Sequence, residues 1–182
     1  MEKFYQSLLE LNFYETLGQK YYETHGRELS MEQYGYLLRH GHSHHLMENL
    51  NSPKALEEQK QLRENILQNY GIRGLSSQKY LPKEKDFEIE QLLRYVDIPR
   101  HRHDFVELVC VLSGQCKHII NGEHYVNHKG DFTVIPPTVE HELHASPDCV
   151  CLTAKFRNTA FVEIFPPVRL RVVKSGNKKI TK

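Results

Sequence analysis

Residues 101–141 read HRHDFVELVCVLSGQCKHIINGEHYVNHKGDFTVIPPTVEH, and this stretch decides the fold. Short runs rich in Val, Ile, Phe, Tyr and Leu are separated by Ser113-Gly114, Asn121-Gly122, Lys129-Gly130 and Pro136-Pro137. That punctuation belongs to strands joined by tight turns, not to helices. Asn121-Gly122 is the sharpest signal, because a two-residue type I′ hairpin turn needs positive φ at both central residues. Working outward, 87–98, 105–112, 116–120, 124–126, 132–135 and 149–156 read as strands, with a further turn at Pro147-Asp148. Several short strands at close spacing predict an antiparallel sandwich or small barrel.

The same stretch carries the chemistry. His101, His103 and Glu107 are followed, beyond Gly130 and Pro136, by His141. Imidazole nitrogen and carboxylate oxygen together suit a divalent transition metal such as Zn, Fe, Mn or Ni. Alternation along a strand puts His101, His103 and Glu107 on one face. A straight strand, however, separates His101 from Glu107 by roughly 20 Å. One ion can reach both only if the chain bends between His103 and Glu107, and Asp104 tolerates such a place. The plainer alternative is that histidines at a barrel mouth hydrogen-bond a small molecule or a neighbour without any metal. Arg102, His118, Tyr125 and His144 are candidate ligand-binding residues that would give an apolar pocket a few oriented polar groups.

The first eighty residues are helical in character. Phe4, Leu8, Leu9 and Leu11 have helical spacing, and Gly18 is read as the stop. Ser30 with Gln33 forms a capping-box pattern ahead of Tyr34, Leu37 and Leu38. Ser52 and Pro53 open a further helix with Leu56, Leu62, Ile66 and Tyr70 as its apolar stripe and Gly71 as its C-cap. The predicted organisation is a helical region and linker over 1–80, a barrel over 87–160 and a basic tail over 161–182. His40, His42, His44 and His45 cluster upstream, but Gly41 interrupts the helix spacing and the group reads as an exposed polar turn.

The 182 residues allow one domain of ordinary size plus an appendage. A net charge of +1 gives no bulk attraction to nucleic acid or to acidic membrane. The start, Met-Glu-Lys-Phe-Tyr-Gln, has no apolar leader, so a cytoplasmic protein is expected. Cys110, Cys116, Cys149 and Cys151 lie in apolar strand-like runs and read as reduced thiols, since C-x-C is not the C-x2-C of zinc sites.

The run His101-x-His103-x3-Glu107-x6-Gly114 resembles the first motif of the cupin superfamily, and Gly130-x5-Pro136-x4-His141 resembles the second. Thr138 stands where the family often has glycine, and Ala145 where it often has asparagine. The resemblance implies a jelly-roll β-barrel with His101, His103, Glu107 and His141 as metal ligands. The wording of 101–141 also resembles the sensor domain of AraC-type transcription regulators, which implies a small-molecule effector, a homodimer and a separate helix-turn-helix region for DNA. Residues 157–182 have no room for that region. The sequence therefore leaves two functions open: an effector-sensing domain, or a free-standing metal-dependent cupin enzyme of dioxygenase or isomerase type.

Overall fold

Two capping boxes set the frame of the helical region. Asn12 accepts from the Glu15 amide while the Glu15 carboxylate accepts from the Asn12 amide, and Ser30 with Gln33 repeats the device. The computed structural model describes residues 2–41, 47–66, 77, 81 and 84–165. Within them α1 is Glu2–Leu9, α2 Phe13–His25, α3 Met31–His40 and α4 Pro53–Ile66. Ser52 caps α4 as expected, its Oγ accepting from the Ala55 amide at 3.3 Å. Gly71, Tyr70 and His42, His44 and His45 lie outside the described residues, as do most of residues 71–86 and the tail from residue 166. His40 closes α3 and meets Glu58 of α4.

Three expectations change here. Gly18 does not end a helix: it lies inside α2, where a Cβ would sit 2.6 Å from the Tyr95 Cβ, and the helix stops instead at Gly26 with φ 67°. A glycine demanded by close packing looks the same in sequence as one demanded by a cap. Leu62 of the expected stripe packs on the helical core, but Leu56 is half exposed, and Ala55 and Gln59 turn inward beside Leu62 in its place. The 87–98 run is two strands, interrupted at Arg94 and at Tyr95, whose φ is 65°.

Eight strands follow: β1 Phe87–Gln91, β2 Ile98–His101, β3 Val106–Ser113, β4 Gln115–Ile120, β5 Glu123–His128, β6 Phe132–Ile135, β7 His141–Ala145 and β8 Val150–Phe156. They form two antiparallel sheets in the orders β1-β8-β3-β6 and β2-β7-β4-β5. The chain thus passes back and forth between sheets, which is a jelly roll. The Asn121-Gly122 hairpin joins β4 to β5 with φ of 50° and 81° at its two turn residues. Val109, Val111, Cys116, Leu143, Cys149 and Cys151 fill the space between the sheets, and all four cysteines are free thiols. A final helix, α5 (Asn158–Ile164), which strand-and-tail reasoning does not anticipate, lays Phe161 on Val106, Ala154 and Phe156 of the outer sheet face.

The helical layer is joined to the barrel through the segment between β1 and β2. Leu29 and Val96 form a parallel bridge, and Val96 enters the helical core with Leu17, Tyr21, Leu37 and Leu50. Arg94 is buried and donates from Nε and Nη2 to the two Glu15 carboxylate oxygens, both at 3.0 Å. Its remaining donors reach the carbonyls of Leu9 at 3.0 Å and Glu10 at 2.9 Å. Removing one partner of such a pair strands the other in a dry interior, so Arg94→Met should cost about 3–5 kcal/mol in urea denaturation. Lys85→Ala, at an exposed pair with Glu88, should change stability by less than about 1 kcal/mol in the same measurement.

Candidate metal centre

Pairing of β2 with β7 sets His101 directly across from His141, and Ile120 of β4 flanks His141 on its other side. Glu107 comes from the opposite sheet, opposite Lys155 of β8 and Ile135 of β6. The bend expected near Asp104 is present: β2 ends at His101, β3 begins at Val106, and His103 lies between them. One donor atom each of His101, Glu107 and His141 lie within 4.8 Å of one another. His103 joins them, its Nε2 standing 3.4 Å from the Glu107 Oε2.

The imidazole hydrogen bonds decide which nitrogen faces the cluster. His101 Nδ1 donates to the Pro99 carbonyl at 2.8 Å, His103 Nδ1 to the Phe105 carbonyl at 2.8 Å and His141 Nδ1 to the Val139 carbonyl at 3.2 Å. A carbonyl can only accept, so each Nδ1 carries the proton and each neutral ring is left with a lone pair on Nε2. The His141 Nε2 lies 3.1 Å from the Glu107 Oε2, and the buried His103 Nε2 has no hydrogen-bond partner among the described residues. Lone pairs gathered around a carboxylate repel unless a cation, whether a proton on Nε2 or a metal ion, lies between them, and backbone-anchored imidazoles are how proteins orient metal ligands. The residues fit a divalent transition metal.

Burial, and then His141, push the His101 imidazole down to about 4. Burial alone would raise the Glu107 carboxyl, but His103 and His141 beside it outweigh burial and hold it well below the usual carboxylate range. Neutral imidazoles and an ionised carboxylate are the forms a cation requires.

The four candidate ligand-binding residues fall on different surfaces. His118 is fully buried inside the barrel, 5.5 Å from the His141 ring between centroids, with neither ring nitrogen bonded among the described residues. Tyr125 lies opposite His118 on β5 and donates to Glu123 at 2.8 Å. His144 projects from the outer face beside Lys117 and pairs with Asp97 at 2.8 Å, in a groove shared with Tyr22 and Glu28. Arg102 is exposed. Parity explains the split, since His144 is an odd number of residues from His141 and therefore faces the other way.

A cavity of about 330 Å³ opens from the cluster. His101, Glu107 and His141 form one part of its wall, and Met31, Leu92, Val96, Ile98, Phe105 and Leu143 supply apolar surface. Thr153 also lines it, buried to 1% exposure, with its hydroxyl unpartnered among the described residues. Sequence reasoning does not reach Thr153. Its two-residue spacing from the buried Cys151 is the signal that points inward.

Two outcomes follow. Thr138, at φ 68°, holds a left-handed backbone while its amide donates to the His103 carbonyl at 2.7 Å. A β-branched residue is strained there, so Thr138→Gly should raise thermal stability by about 1 kcal/mol. Burial, then His141, push the His118 imidazole down to about 3 from its ordinary 6.5. The unfolded chain then takes up a proton that the folded one refuses, so the metal-free protein should lose stability as pH falls from about 6.5 toward 3. The acid limb carries up to about 1.4 kcal/mol per pH unit from this group. His118→Phe should flatten that limb in a pH series of denaturation curves.

Residues 89–165 match the AraC-like ligand binding domain. No curated protein matches the chain at a significant level. Similar solved structures include a conserved protein of unknown function from Streptococcus pyogenes, at 26% identity and TM-score 0.37 over 41% of this chain and 68% of that one. A cupin-2 domain containing protein from Shewanella frigidimarina aligns at 22% identity and TM-score 0.35, over 42% and 76% of the two chains. A cupin protein from Bacteroides fragilis aligns at 20% identity and TM-score 0.35, over 52% and 77%. Jelly-roll order and strand register agree with that match: residues 89–165 form a jelly-roll β-barrel similar to the AraC-like ligand binding domain.

Proposed function

We propose that this chain is the small-molecule-sensing and dimerisation domain of an AraC-type transcription regulator, built around a metal-bearing cupin barrel. Residues 87–160 would be the sensing barrel, 1–80 the helical region that covers one side of it, and 161–182 a basic tail. His101, His103, Glu107 and His141 would hold a divalent transition metal, Zn, Fe, Mn or Ni. His118 and Tyr125 would shape the barrel interior behind it. The observation that carries this reading is the convergence of His101, Glu107 and His141 on the wall of a cavity sized for a small metabolite. Regulation would follow from linkage: an effector shifts a homodimer between two states only by its difference in affinity for them. DNA contact would come from a helix-turn-helix region outside these residues, and the site of action would be the cytoplasm. Among the described residues no helix is long and apolar enough to cross a membrane.

The bound ion would supply a Lewis-acidic anchor for an oxygen of the incoming molecule. The protein's own part is to orient three imidazoles through the Pro99, Phe105 and Val139 carbonyls, and to exclude water with Phe105, Leu143 and Ile98. Because the cluster opens onto the cavity, a metal-dependent cupin enzyme of dioxygenase or isomerase type is the second reading. Among the cavity-lining residues only the Glu90–Lys155 ion pair adds further acid or base groups.

The purified full chain should contain about one divalent metal per molecule by elemental analysis. Excess metal should stabilise it by roughly 4 kcal/mol at a thousand times Kd. Glu107→Gln and His141→Ala should each weaken metal binding by more than about tenfold. A metal-free protein whose melting is unmoved by chelator or added metal would overturn the metal centre. Thermal shift by small molecules without turnover supports the sensor, and turnover supports the enzyme.

A further inference from the structure

The cavity wall states what kind of molecule it takes. Apart from the metal cluster its lining is dominated by Leu, Val, Ile, Met and Phe side chains, which offer a sugar's hydroxyls nothing to bond. Gln91 also lines it, its Nε2 donating to the Leu8 carbonyl at 3.2 Å, and one inward polar atom is both buried and without a partner among the described residues. The Thr153 Oγ is buried, has no partner among the described residues, and faces the cavity from the centre of β8. Lys155 pairs with Glu90, so their charges satisfy each other and leave Thr153 as the unmet hydrogen-bonding group on that side of the cavity.

Register gives the spacing. Glu107 lies opposite Lys155, and Val109 lies opposite Thr153. Thr153 is therefore two residues along and one strand across from Glu107, roughly 8 Å away between backbones. A divalent ion held by three neutral imidazoles and one carboxylate keeps a net positive charge, which favours an anionic head group.

We propose that the cavity binds a small monocarboxylic acid with an apolar body and a second oxygen, hydroxyl or carbonyl, that hydrogen-bonds Thr153. The carboxylate faces the His101–Glu107–His141 cluster, the body lies against Leu92, Val96 and Phe105, and the distal oxygen reaches the Thr153 hydroxyl. Thr153 is in this view a specificity residue, because a site that leaves a buried hydroxyl unpaired penalises ligands that cannot bond it. This assignment rests on the metal-bearing, small-molecule-binding reading of the barrel.

The test uses the full chain loaded with Zn²⁺ and three probes: 4-hydroxyphenylacetate, phenylacetate and D-xylose, with binding followed by calorimetry. The hydroxylated acid should bind about tenfold more tightly than phenylacetate, and xylose should not bind. Thr153→Val should remove the tenfold preference, and should raise the melting temperature of the ligand-free protein by deleting an unpaired buried hydroxyl. Thr153→Ser should retain the preference. Equal binding of the two acids in the wild-type chain and in Thr153→Val overturns the role of Thr153. Binding of xylose alone overturns the ligand class while the sensing barrel stands. Failure of all three probes, with Zn²⁺ bound, also overturns the ligand class. Failure of Zn²⁺ itself to bind or to shift melting overturns the underlying metal reading as well.

Discussion

The Arg94 guanidinium, buried against Glu15 and the carbonyls of Leu9 and Glu10, ties the helical layer to the barrel segment between β1 and β2. Glu15 does two jobs at once, closing the capping box of α2 and receiving the arginine. A carboxylate engaged on both sides has little freedom, and that rigidity passes to Leu92, Leu93 and Val96. These residues line the cavity, and Val96 also packs into the helical core. Met31 at the start of α3 completes the same wall. The wall of the cavity and the contact between layers are one segment, so a molecule seated there presses on residues that also position the helices.

On the barrel side the governing constraint is the direction of three N–H bonds. Carbonyls of Pro99, Phe105 and Val139 take the Nδ1 protons, and the Nε2 lone pairs are turned toward Glu107. Holding such a cluster in a dry interior is unfavourable without a cation, and the fold carries local cost to hold it. Thr138 holds a left-handed backbone while its amide satisfies the His103 carbonyl. Strain beside a ligand loop is the usual companion of a built site.

Much of this was readable in the chain. Period-two apolar runs with Asn121-Gly122 at their centre specify a hairpin, and hairpins separated by short turns specify an antiparallel barrel. His101, His103, Glu107 and His141 stood out by residue type and spacing, and the need for a bend between His103 and Glu107 followed from the length of an extended residue alone. Ser30, Gln33 and Ser52 announced their helices because capping is chemistry between near neighbours.

What the sequence by itself determined, then, was local: turns, caps, strand periodicity and a set of metal-donor side chains. Tertiary structure decided which of those side chains meet. His118 and His144 are alike in sequence, yet strand parity sends the first into the barrel and the second to a groove beside Asp97. Gly18 resembles a helix stop until Tyr95 is seen against it, and Thr153 is one strand threonine among others until the opposite sheet and the helical layer close a cavity over it. The physical reason is range. A hydrogen bond within three or four residues is written in adjacent letters, whereas burial depends on elements that come from dozens of residues away.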